Sequence, residues 1–109
     1  MTSRFKEILE TLPPTEGIEA IVLLDATGHP IDRLENRPGT AASVRIYLAL
    51  VKRHGHIDCK AAKEGLGFYA EHVEDARNHP GKHPNIDRLI GIAENTAPGI
   101  RARIVLRHD

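Results

Sequence analysis

The chain has 109 residues, 40% of them hydrophobic, which is enough for one domain with one core (residues 1–109) and too little for two. Fifteen basic residues balance fifteen acidic ones, so no whole-molecule field draws it to nucleic acid or anionic lipid. No apolar run approaches the roughly 20 residues of a membrane helix, and the N-terminal MTSRFKEILE lacks the apolar core of a secretory signal.

Tryptophan is absent and Phe and Tyr number two each, so the core has to come from Ile, Leu, Val and Ala. Such a core is thin, and dimerisation or a bound ion would add to it. The single cysteine, Cys59, excludes an internal disulfide and suits a reducing cytoplasm.

In chain order, Phe5, Ile8, Leu9 and Leu12 share one helical face behind a Ser3 cap, and Pro13-Pro14 ends that helix. Ile18 to Leu24 turns apolar on both sides, the pattern of a central strand. The turn-rich loop from Asp25 to Pro30 leads to a short charged edge strand, Ile31 to Asn36. After Pro38-Gly39, Thr40 caps a helix to His54, with Val44, Tyr47, Leu48 and Val51 on one stripe and Gly55 closing it.

Asp58 caps the next helix, expected to run unbroken from Cys59 to Asn78 with Ala62, Leu66, Tyr69, Ala70, Val73 and Arg77 inward, until Pro80-Gly81 stops it. Asn85 caps a helix from Ile86 to Glu94. A last strand, Ile100 to Leu106, alternates Ile100, Ala102, Ile104 and Leu106 with Arg101, Arg103, Val105 and Arg107, leaving one face wet. The order helix-strand-strand-helix-helix-helix-strand predicts an α+β fold. Its three-stranded, antiparallel-type sheet packs with helices, and the last strand lies beside the first.

Candidate chemistry concentrates between Glu71 and Asp87, which hold three of the seven histidines and four acids around a Pro-Gly break. On a helix, His72, Asp75 and His79 fall within about 60° of one another, at the three- and four-residue spacings where side chains meet. The turn at Pro80-Gly81 then folds His83 back toward the same carboxylate. Imidazole and carboxylate suit an acid/base pair or a divalent transition metal such as zinc or iron, with His72, Asp75, His79 and His83 as ligands and Glu71 or Glu74 behind them. The spacing is not the HExxH signature, and His72 and His79 stand roughly 10.5 Å apart along the axis. The plainer alternative is an exposed Asp75–His79 pair, with His79 at a helix C-terminus and His83 in a turn.

Lys82 and Asn85, before a helix N-terminus, form a second candidate, an anion site for phosphate or carboxylate. Cys59 at the first position of its helix is a weaker nucleophile candidate beside His54 and His56. Arg101, Arg103 and Arg107 are most simply solvated charges, and Asn36 to Gly39 a turn before a helix.

Glu64-Gly-Leu66, Tyr69-Ala-Glu-His72, Glu74-Asp-Ala76 and the run Pro80-Gly-Lys-His-Pro-Asn-Ile-Asp-Arg-Leu89 together resemble the bacterial family catalogued as domain of unknown function 2322. Asn36-Arg-Pro-Gly39 and His54-Gly55 are similar to it as well. The resemblance implies a bacterial, stand-alone cytoplasmic domain and brings no assigned activity. Two function classes follow. One is a small metal-binding or acid/base protein acting on a small molecule. The other is a non-enzymatic ligand-binding or homodimeric assembly module with structural histidines.

Overall fold

The computed structural model describes residues 3–108. Its elements run α1 (Arg4–Thr11), β1 (Ile18–Leu24), β2 (Pro30–Glu35), α2 (Ala41–His54), α3 (Cys59–Tyr69), α4 (His72–Asn78), α5 (Pro84–Ala93) and β3 (Arg101–Leu106). The α+β order holds, with one helix more than the sequence pattern suggests. The sheet is antiparallel in the order β2-β1-β3, so the first strand lies between the other two. No helix among the described residues is long and apolar enough to cross a membrane.

Strand β1 is central because it is apolar on both faces. Ile21 aligns with Leu34 of β2 and Ile104 of β3, and Leu23 with Asp32 and Ala102. Ile21, Leu23 and Leu34 are buried in the helix-side core. The expected inward row of β3 is only partly covered. Ile100 is buried, whereas Ile104 is 37% and Leu106 61% exposed. Ile57 forms a bridge to Ile100 at the start of this edge.

Helix α2 departs from a simple amphipathic stripe. Val44 is buried, and so is every residue from Ile46 to Leu50, because α2 packs against all three strands and against α1 and α3. A helix enclosed on several sides needs apolar residues around most of its circumference. Gly55 ends it in the left-handed conformation at φ 82°, its N–H bonded to the Val51 carbonyl. Thr40 stands at the N-cap position without capping. Its hydroxyl donates to the Glu35 carbonyl at 2.5 Å and so ties the NRPG turn to β2.

The helix expected from Cys59 to Asn78 is broken in two. Asp58 caps α3 as anticipated, accepting from the Ala61 N–H at 2.8 Å. At Ala70 the backbone swings to φ 51°, ψ −122°, a conformation that costs a residue with a Cβ. The break lets Glu71 turn toward α1, where its carboxylate accepts the Phe5 N–H at 3.0 Å and the Ser3 hydroxyl. Two further expectations change with it. Arg77 is exposed and pairs with Glu94 instead of facing inward, and Ala76 takes the buried position. Neither Gly nor Pro marks Ala70, so helical periodicity alone runs straight through it.

Replacing Ala70 by Gly removes strain of about 1–3 kcal/mol. It loses a half-buried methyl and adds chain entropy, each worth somewhat under about 1 kcal/mol. Ala70→Gly is therefore expected to raise the thermal midpoint by a few degrees in a calorimetric melt. A lowered midpoint would show that the turn is not strained.

Candidate functional site

Helix α4 is short, and its C-terminus is a reversal built from local bonds. The His79 N–H donates to the Asp75 carbonyl at 3.0 Å, and the Lys82 N–H to the His79 carbonyl at 3.0 Å. Between them Gly81 has φ 93°, where a side chain is disfavoured, and its N–H is held by Asp87 Oδ2 at 2.9 Å. His83 then stands at the N-cap position of α5 and Pro84 at its first turn, where a missing N–H costs nothing. Asn85, the expected cap, lies one position inside the helix.

The reversal brings three side chains onto one carboxylate. His83 Nε2 lies 2.5 Å and Lys82 Nζ 3.1 Å from Asp75 Oδ2, while His79 Nδ1 lies 3.2 Å from Oδ1. His79 and Lys82 are well exposed, at 60% and 58%, but the His83 side chain is 27% exposed and is the shielded partner. The hydrogen bond from His83, the one from Lys82 and the nearby positive charge pull the Asp75 carboxyl down from the usual 3.8 to about 2. Asp75 is thus ionised at neutral pH and can only accept. His83 donates its Nε2–H, leaving Nδ1 as the ring nitrogen able to take a proton.

His72 does not join them. Its ring meets Phe5 edge-on with centroids 4.5 Å apart, and its centroid is 6.3 Å from that of His83. Among the described residues, no three His, Cys, Asp or Glu side chains are grouped so as to hold a metal ion. Glu71 is engaged at α1, and Glu74 is exposed.

His83 and Lys82 also line a cavity of about 180 Å³ with Thr40, Ser43, Tyr69 and Asn85. Its wall is fixed from α2. Tyr47, fully buried, donates its hydroxyl to the Asn85 carbonyl at 2.6 Å and accepts from Arg88 Nη1 at 3.2 Å. Arg88 also bonds Asn85 Oδ1 at 2.8 Å and pairs with Asp32 on β2. Burial raises the Tyr47 hydroxyl to about 12, so it remains a neutral donor. Tyr69, a buried lining residue whose hydroxyl is also raised by burial, donates to Ser43 Oγ at 2.6 Å. Ser43, Tyr47 and Tyr69 escape sequence reasoning because two of them read as core positions on helical stripes. The only hint is that a buried tyrosine hydroxyl requires a partner.

The remaining candidates sit elsewhere. Cys59 begins α3 and its thiol donates to the Ala93 carbonyl at 3.3 Å. His54 is paired with Glu64 at 3.0 Å and His56 with Asp58 at 3.3 Å. Arg101, Arg103 and Arg107 are exposed.

The chain belongs to the bacterial family DUF2322, described as an uncharacterized protein conserved in bacteria, whose match covers residues 5–102 and so the whole of this site. No curated protein and no solved structure matches the chain.

Because the folded carboxyl is depressed, the stability that Asp75 contributes is complete above the usual 3.8 and is lost as pH falls through about 2. Carbon-detected NMR of the Asp75 carboxyl should accordingly titrate near 2. A midpoint at the ordinary value would mean that the three contacts are not maintained in solution.

Proposed function

We propose that this member of the family carries an acid/base site in which His83, oriented by Asp75, exchanges a proton with a small molecule in the adjoining cavity. The observation that carries this is the 2.5 Å contact between His83 Nε2 and Asp75 Oδ2, made by a residue that also lines the cavity. An ionised carboxylate on one ring nitrogen fixes the tautomer and stabilises the imidazolium formed when the other nitrogen takes a proton. Lys82 holds the same carboxylate, keeping it charged through the cycle. The lone cysteine is consistent with action in a reducing cytoplasm.

Zinc or iron is the other chemistry these residues suggest. His79 and His83 contact different oxygens of Asp75, and the Lys82 ammonium stands where a cation would have to bind. The proton-exchange assignment therefore takes precedence. Lys82 and Asn85 remain candidates for anion contact, since both line the cavity.

A homodimeric role is favoured by a separate observation, the exposure of Ile104 and Leu106 along the β3 edge. Sedimentation equilibrium separates the two roles. A stable dimer that Leu106→Lys dissociates supports assembly, and a monomer at high concentration removes it.

The proton-exchange assignment is tested by the rate at which diethyl pyrocarbonate acylates each imidazole, followed by mass spectrometry. Measured well above the usual imidazole range, where the ring is neutral with or without the carboxylate, His83 should react faster in the wild type than in Asp75→Asn. Equal rates would mean that Asp75 does not activate the ring.

A further inference from the structure

The hydrogen bonds around the cavity leave an uneven set of free groups. The Thr40 hydroxyl proton goes to the Glu35 carbonyl and that of Tyr69 goes to Ser43. Ser43, having accepted from Tyr69, still holds a proton, and no acceptor for it occurs among the described residues. Asn85 Oδ1 is taken by Arg88, which leaves the Asn85 amide N–H groups to give. Ser43, Asn85 and Lys82, each with a proton to give, line the cavity together with His83.

We propose that this cavity binds a small carboxylate, one of whose oxygens accepts the Ser43 hydroxyl proton, with Tyr69 orienting that hydroxyl and His83 facing the remainder of the ligand. The proposal deepens the acid/base assignment and rests on it. A volume of about 180 Å³, roughly six waters, suits a ligand of a few carbon atoms. A planar monoanion satisfies two or three donors with two oxygens. A phosphate dianion would call for more positive charge than a single lysine already shared with Asp75. Ser43 and Tyr69 are binding and positioning residues respectively, and the proton acceptor stays His83.

The test is an amide NMR titration of the full chain with acetate, lactate, inorganic phosphate and 2-propanol. Acetate or lactate should produce saturable shifts at Thr40, Ser43, Tyr69 and His83. Ser43→Ala should weaken binding about ten-fold or more, the usual effect of deleting a hydrogen bond to a charged acceptor. Tyr69→Phe, which keeps the shape and frees the Ser43 hydroxyl to rotate, should weaken it less and provides the check if Ser43→Ala is unfolded. The ligand class is overturned if neither carboxylate saturates by about 50 mM, the weak limit of specific binding. It is equally overturned if phosphate or 2-propanol binds as well, or if both variants bind like the wild type. Absence of carboxylate binding together with fast acylation of His83 would sink the ligand class alone and leave the acid/base assignment standing.

Discussion

Tyr47 places a phenol at the centre of α2, shielded from solvent, and a hydroxyl there has to find its partners within the protein. It finds them at the start of α5, on the Asn85 carbonyl and the Arg88 guanidinium, and Arg88 extends the link to Asp32 on β2. One buried group thus joins the sheet, the central helix and the segment that carries His83. Losing a partner of a buried polar group costs more than a typical surface hydrogen bond contributes, so this clamp resists slippage. The reversal at Gly81 supplies direction, and the clamp supplies position.

Among the described residues three carboxylates are paired with histidine: Glu64 with His54, Asp58 with His56, and Asp75 with both His79 and His83. Glu64 is also held by Arg53, and Asp58 is occupied as the cap of α3, so both have structural duties. Asp75–His83 differs in that His83 lines a cavity that also holds a paired serine and tyrosine. A partly shielded ring, a partner charged at neutral pH and an adjoining cavity are what proton exchange with a ligand requires. Lys82 adds charge to the same carboxylate and shares the cavity wall, while His79 adds a contact on the exposed side.

Much of this was legible from residue spacing. The apolar run Ile18 to Leu24 identifies the central strand, and Pro80-Gly81 locates the reversal that returns His83 to Asp75. The Asp75–His79 contact follows from helical geometry. Helix spacing sets His72 three residues before Asp75 on α4 but does not fix where its ring turns. Its ring is held by Phe5 across a tertiary contact that no local pattern contains. The turn at Ala70 was hidden for a similar reason, since it is stabilised by Glu71 reaching α1, distant in sequence. Asn85 looked like a cap from its type, while Pro84 in fact begins the helix and Asn85 is fixed by α2. The hydroxyl pair of Ser43 and Tyr69 is wholly tertiary, joining α2 to α3, and nothing in the chain order announces it.

A buried hydroxyl on α2 holds the loop so that His83 donates to Asp75. Long-range nitrogen–proton NMR of the His83 ring reads this directly. In the wild type the ring should be the Nε2–H tautomer with a downfield, slowly exchanging proton, and Tyr47→Phe should broaden or lose that signal while the protein stays folded. A wild-type ring protonated at Nδ1 instead, or averaging freely between tautomers, would contradict the account.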